Sequence, residues 1–402
     1  MSAGWGAALA AILAIAQVAT PAAPCGAGQP AGTALSPSAA LGRRLFFDVS
    51  LSASGRQSCA SCHDPAQAYG PPPDAELVIP GGVGLDQLGL RTVPSLRYLA
   101  DTPRFARHAY VERGADREDI GPAGGFMRDG RVDRLEDQAL VPLLDPVEMA
   151  NADIVALARR LRRVVYAGDF ARVFPGGASG DADLAREAAV ALAAFEREDP
   201  SFHPYSSRFD AWLRGGAPLT PAERQGLRLF LDPNKGNCAA CHTAVRGAGG
   251  ALPVFTDYSH HALGVPRNRG VAANADPAFF DLGLCGPVRA DLRTEREYCG
   301  YFRTPTLRNV ARRHFFFHNG RFTSLTQALR FYVRRDTDPG NWYPRVDAGV
   351  VKFDDLPPDL RGNVDTSDAP LNRDPADKPA LSEREIRLVI AFLRTLDDAP
   401  GP

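Results

Sequence analysis

Cys59-Ala60-Ser61-Cys62-His63 and Cys238-Ala239-Ala240-Cys241-His242 are two copies of the pattern C-x-x-C-H. The spacing lets two thiols form thioether bonds to the vinyl groups of one porphyrin while the adjacent histidine reaches the iron. Two C-x-x-C pairs could also supply the four thiolates of a zinc ribbon. Ribbon pairs lie closer together in sequence, however, and need no histidine after each second cysteine. The repeat therefore points to two covalently bound haem c groups, one on Cys59, Cys62 and His63, the other on Cys238, Cys241 and His242.

The chain has 402 residues, of which 45% are hydrophobic, enough for a sizeable core and two or three domains. A net charge of −1 leaves no electrostatic footprint for nucleic acid. Residues 5–19 form an apolar run too short to span a bilayer, followed by small residues and prolines. We read residues 1–24 as a signal peptide, cut after Ala16 or Ala22, although the usual positive flank is missing. No later segment reads as transmembrane, so the expected location is the periplasm. Cys285 and Cys299 close a short loop and are a disulfide candidate there, the alternative being two buried thiols. Cys25 follows Pro24, a poor context for lipoprotein processing, and is left over.

The halves resemble each other beyond the cysteine motifs. Gly42-Arg43-Arg44-Leu45-Phe46-Phe47-Asp48 precedes the first motif and Gly226-Leu227-Arg228-Leu229-Phe230-Leu231-Asp232 the second. Each motif is followed by a proline segment, Val93-Pro94-Ser95-Leu96-Arg97 or Thr304-Pro305-Thr306-Leu307-Arg308. Next come Asp129-Gly130-Arg131 and Asn319-Gly320-Arg321, with Leu135 and Leu325 at the same distance beyond the glycines. The expected fold is mostly α, with two tandem cytochrome-c-like haem domains at 25–205 and 206–402. Helices are expected from Ser36 to Phe47 with Ser38 as cap, over 181–198, from Thr220 to Leu231, and from Ser382 to Leu396. Stretches rich in proline and glycine at 70–95, 243–285 and 336–380 read as long loops over the haems.

Methionine arithmetic constrains the far side of the second iron. The methionines are Met1, Met127 and Met149, so the second half contains none, and a His/Met centre there would need a ligand from the other half. The local candidates are Tyr332, His260, His261, His314 and His318, or an open position.

From about residue 36 onward the chain resembles the bacterial dihaem cytochrome c peroxidase and MauG superfamily. The likeness is carried by both haem motifs, by FMRDGRVDRLEDQALVPLLDPVEM at 126–149 and by FRTPTLRNVARRHFFFHNGRFTSLTQALRFY at 302–332. The resemblance places the second haem's far ligand fourteen residues after the histidine of the His318-Asn319-Gly320 motif, at Tyr332, where typical peroxidases have methionine and MauG has tyrosine. His318 itself then lies beside that haem rather than on its iron. At the first haem the resemblance implies Pro142 on the far side, Glu148 as general acid–base for bound peroxide, and Gln138 beside it. Typical members also carry a blocking histidine where this chain has Ile79, and residues 64–107 contain no histidine. The first iron is therefore expected to be open, with His108 the remaining candidate to close it.

Three positions depart from the family pattern. Arg128 stands where members place a tryptophan between the haems. Thr92 replaces the asparagine of an interhaem calcium site whose other ligands are carbonyls, here of Arg313 and Phe315, so calcium remains a candidate ion only. Gly236 occupies the position of the surface tryptophan used by MauG, while Trp342 is either a relay or a packed aromatic. The resemblance implies a peroxidase that reduces H2O2 with electrons from a small cytochrome or cupredoxin. The second implication is a MauG-like or MbnH-like enzyme that oxidises Tyr or Trp side chains of a partner protein, and the third an electron-transfer dihaem cytochrome. A homodimer is compatible with each.

Overall fold

The computed structural model describes residues 34–113 and 116–399, so the apolar run and Cys25 lie outside the described residues. Ten α-helices supply most of the regular structure among these residues: α1 (Pro37–Phe47), α2 (Cys59–Cys62), α3 (Leu135–Leu144), α4 (Ile154–Leu161), α5 (Gly168–Val173), α6 (Asp181–Glu198), α7 (Arg208–Leu213), α8 (Pro221–Leu231), α9 (Leu325–Arg334) and α10 (Glu383–Leu393). Three antiparallel two-stranded ribbons accompany them: β1 (Ala106–Arg113) with β2 (Asp116–Ala123), β3 (His260–His261) with β4 (Phe302–Arg303), and β5 (Arg345–Val346) with β6 (Gly349–Val350). The fold is mostly helical, and no described helix is long and apolar enough to cross a membrane.

Helix starts follow local chemistry. The Thr220 hydroxyl accepts the Glu223 N–H while the Glu223 carboxylate accepts the Thr220 N–H, closing the expected capping box on α8. Ser382 and Glu385 do the same for α10, which tightens into a 3₁₀ turn over Arg394–Leu396. At α1 the cap is Ser36 rather than Ser38: its hydroxyl accepts the Ala39 N–H, and Pro37 fills the first helical position, where no N–H is needed. The hairpin of β1 and β2 was not expected, because charged residues interrupt its short apolar positions and hide the two-residue period.

Apolar side chains collect in two principal clusters. One runs from Leu41 to Phe202 and is built on α1, α4 and α6; the other runs from Phe209 to Leu396 and is built on α8, α9 and α10. In each, the first helix crosses the last at a glycine. A Cβ on Gly42 would lie 1.9 Å from the Ala191 carbonyl oxygen, and one on Gly226 would lie 2.0 Å from that of Leu388. The duplication extends to backbone detail. The loops before α3 and α9 both place a non-glycine residue in the left-handed region, Met127 (φ 67°) and Phe317 (φ 66°), followed by Gly130 and Gly320, each at φ 62°.

Buried polar ties join segments distant in sequence. The Arg308 guanidinium makes paired bonds of 2.9 and 2.8 Å to the Asp210 carboxylate, both side chains fully shielded, and lies over the rings of Tyr98 and Tyr205. Asp398 accepts from Arg97, Tyr98 and Asn309. From Leu35 onward the chain packs as one compact unit.

The glycine crossings generate a direct expectation. Gly226→Ala drives a methyl group into the backbone of α10 and should cost about 3 kcal/mol by overpacking. A denaturation midpoint of the haem-loaded protein within error of wild type would contradict this.

Candidate haem and peroxide site

Both motif histidines are oriented by backbone carbonyls. His63 Nδ1 lies 3.1 Å from the Tyr69 oxygen, and His242 Nδ1 lies 3.0 Å from the Phe255 oxygen. Tyr69 and Phe255 both adopt left-handed backbone, at φ 54° and 57°, which turns these oxygens inward. The acceptor fixes the proton on Nδ1 and leaves Nε2 free to ligate iron. Burial holds the His63 imidazole well below its ordinary range, at about 4, and lowers His242 likewise, so both rings are neutral donors.

The two cysteine pairs line separate cavities, Cys59 and Cys62 with His63, Cys238 and Cys241 with His242. Four thiolates cannot share one zinc in this arrangement, so the ribbon alternative is removed.

The His63 cavity measures about 400 Å³, and Gln138, Pro142 and Glu148 all line it. Gln138 and Pro142 are one turn apart on α3, and Pro142 ends the regular N–H pattern just before the helix stops at Leu144. A tight turn then re-aims the chain: the Asp145 carboxylate accepts the Val147 N–H at 3.0 Å, and the Asp145 carbonyl accepts the Glu148 N–H at 3.0 Å. Glu148 lines the cavity and keeps an exposed surface, with protein packed around its carboxyl. Burial, reinforced by the nearby Asp145 carboxylate and opposed by Arg131, lifts the Glu148 carboxyl to about 7. Gln138 turns its amide N–H₂ toward the Met127 sulfur at 4.0 Å, and its Oε1 is buried without a partner.

Ile79 lines the same cavity, and His63 is the sole histidine among the lining residues. His108 lies elsewhere, exposed on the hairpin and paired with Asp119 at 2.8 Å, so it is not brought to the first site. Met127 and Met149 do line the cavity; the sulfur of Met127 is engaged by Gln138, and Met149 packs into the apolar cluster. Sequence reading missed one group, Glu196 on α6, which also lines this cavity. Its carboxyl is buried, Oε2 has no partner, and burial raises it to about 8. The duplication could have found it, because the matching position of α10 is the apolar Leu393, which lines the other cavity.

The His242 cavity measures about 300 Å³, and its wall includes Leu325, Ala328, Leu329 and Tyr332 from one face of α9. Tyr332 and His242 therefore border the same space. Burial raises the Tyr332 phenol well above its ordinary range, aided by the neighbouring Cys241, and its hydroxyl has no hydrogen-bond partner among the described residues. His318 also lines the cavity, its ring stacked on Phe302 at 3.6 Å between centroids and its Nε2 3.7 Å from Asp355. Of the other candidates, His261 lines the cavity with Nε2 2.7 Å from the Ser259 hydroxyl. His260 is buried beside the Pro122 carbonyl outside it, and His314 is exposed. Trp342 donates from Nε1 to the Arg334 carbonyl at 3.0 Å and packs on Phe322 and Phe331, as a structural aromatic does. Cys285 and Cys299 form a disulfide.

The charge lining the cavities fits a haem. Arg128, Arg303 and Arg313 border the His242 cavity with no carboxylate partner among the described residues. Burial holds their guanidinium groups down, to about 9, 10 and 10 respectively. Unpaired buried cations of this kind call for anions, and haem propionates supply them. A divalent cation does not fit the same wall. Arg128 already donates to both Thr92 oxygens, at 3.0 Å to the carbonyl and 2.6 Å to the hydroxyl. Calcium bound to Thr92 would sit among cations.

These features define a class: a protein with two haem sites of unlike lining, one bordered by the carboxyls of Glu148 and Glu196, the other by a phenol and arginines. The family profile described as "Di-haem cytochrome c peroxidase" matches residues 36–217. Methylamine utilization protein MauG of Paracoccus denitrificans is 37% identical over 310 residues, 76% of this chain and 75% of that protein. The crystal structure of the diheme peroxidase BthA from Burkholderia thailandensis is 40% identical with a TM-score of 0.80, covering 90% of this chain and 86% of that one. Cytochrome c peroxidase Ccp of Escherichia coli is 29% identical over 317 residues, 78% of this chain and 56% of that protein. The chain belongs to the dihaem cytochrome c peroxidase family, with two haem cofactors, and is an oxidoreductase acting on peroxide.

Because a guanidinium takes both Thr92 oxygens, a calcium chelator should leave the absorption spectrum and Tm of the haem-loaded protein unchanged. A chelator-induced spectral shift that calcium reverses would contradict that.

Proposed function

We propose that this chain is an exported peroxidase that reduces H2O2 in the His63 cavity, drawing electrons through the His242 site from a small cytochrome, a cupredoxin or another donor. Covalent attachment at Cys59, Cys62, Cys238 and Cys241 makes both haems c-type, held in an N-terminal and a C-terminal domain. The carrying observation is that Gln138, Pro142, Glu148 and His63 border one cavity in which the Glu148 carboxyl is lifted to about 7. When bound, the haems supply the iron at which peroxide is cleaved and the store from which its two electrons come. The protein's own part is proton handling. The Glu148 carboxylate takes a proton from the peroxide oxygen nearer the iron and returns it to the departing oxygen, which leaves as water. A carboxyl poised near neutrality does both at small cost. Pro142 presents no side-chain donor to the iron, which leaves room for peroxide, and Gln138 Oε1 is free to accept from it.

At the second site we assign His242 and Tyr332 as the residues that would hold the haem iron. A phenolate is a hard anionic donor that favours oxidised iron, so this centre would have a low potential. Export is supported by the apolar run at 5–19, by the haem attachment sequences and by the Cys285–Cys299 disulfide.

Tyr332 supports a second reading, in which two stored oxidising equivalents are spent on Tyr or Trp side chains of a partner protein. The likeness to MauG points the same way. An electron-transfer cytochrome has no use for Glu148, and we set that reading aside.

The proposal is tested on diferric, haem-loaded protein. The second-order rate with H2O2 should rise with pH through about 7, because protonated Glu148 cannot accept a proton. Glu148→Gln should flatten that profile and slow the reaction about 100- to 10,000-fold. An unchanged rate would remove Glu148 from the mechanism. Addition of reduced cytochrome c separates the readings: turnover supports the peroxidase, and a long-lived oxidised state without turnover supports protein oxidation.

A further inference from the structure

Three residues, Val93, Pro94 and Arg128, border both cavities, and Arg128 alone of them carries charge. Its guanidinium is fixed rather than free. Nε and Nη2 donate to the Thr92 carbonyl at 3.1 and 3.0 Å, and Nη2 donates to the Thr92 hydroxyl at 2.6 Å. Thr92 in turn donates its N–H to the His318 carbonyl at 3.0 Å and its hydroxyl to the Phe317 carbonyl at 3.3 Å. The Arg128 carbonyl accepts the Arg303 N–H at 2.8 Å. The cation is thus bolted to the loop that leads into α9 and to the strand that carries Phe302.

No protein carboxylate pairs with it among the described residues, so the anion it would take is a haem propionate. Neighbouring Asp129 is taken by Arg91 and Arg131, and Asp281 by Arg91. A guanidinium keeps its proton at neutral pH, so with haems bound it would stand as a fixed charge beside both, offsetting propionate charge that disfavours reduction. Such a charge lowers the energy of any added electron on either side.

We propose that Arg128 is one cation shared by the two haem sites, a positioning residue that raises the reduction potential of both irons together and sets their common electrostatic level. The proposal rests on the assignment of a haem to each cavity. It goes beyond that assignment in making a single side chain act on both centres.

The test is a potentiometric titration of the haem-loaded protein, monitored by visible absorption, with covalent haem counted per chain. Arg128→Gln should move both midpoint potentials in the negative direction, and Arg128→Lys should restore most of the shift. If Arg128→Gln does not retain two haems, Thr92→Ala carries the test: it loosens the guanidinium and should move both potentials the same way by less. A shift confined to one haem, no shift in either, or an equal shift in Arg128→Lys and Arg128→Gln would overturn the proposal. Fewer than two haems on wild-type protein would instead overturn the assignment on which it rests.

Discussion

Two carbonyl oxygens hold the architecture to its chemistry. Those of Tyr69 and Phe255 accept from Nδ1 of His63 and His242, and without them neither imidazole would present Nε2 to its cavity. Each requires a bulky residue in the left-handed region, a strain of about 1 kcal/mol or more that the packing on either side must offset. Phe46, Tyr69 and Phe202 pack together in one half; Phe209, Phe230, Phe255 and Phe392 do so in the other. Those aromatic nests depend in turn on the helix crossings at Gly42 and Gly226. Helix crossing, strained carbonyl and oriented imidazole form one dependent series, present twice.

On that duplicated frame a few substitutions make the sites unlike. Pro142 on α3 stands where α9 has Tyr332, so one cavity lacks the hydroxyl that the other possesses. Glu196 on α6 matches Leu393 on α10, placing a buried carboxyl at one site and a hydrocarbon at the other. Arg128 matches His318, and only the first reaches both cavities. The carboxyls of Glu148 and Glu196 thus border the cavity that His63 lines. The phenol and the cations Arg303 and Arg313 gather around His242.

The sequence was most legible where cause is local. Capping boxes at Thr220 and Ser382, the Cys285–Cys299 pairing and the helix lengths each depend on a few adjacent residues or on short loop closure. Spacing by duplication and family likeness pointed to Gln138, Pro142, Glu148 and Tyr332, and each lines the same cavity as its expected histidine. What stayed hidden arises from convergence in space. Glu196 reads as a surface residue of a charged helix end until α6 turns it inward. The role of Thr92 as acceptor for Arg128 depends on two loops meeting. His108 looked available as a ligand because nothing in its surroundings announces the hairpin that carries it away.

The central claim is that one iron is open and the other closed, and cyanide binding followed by electron paramagnetic resonance tests it most directly. Diferric, haem-loaded wild-type protein should take up one equivalent of cyanide, with loss of the high-spin signal and no change in the low-spin one. Tyr332→Phe should take up two. Uptake of two equivalents or of none by the wild type, or of one by Tyr332→Phe, would contradict the account.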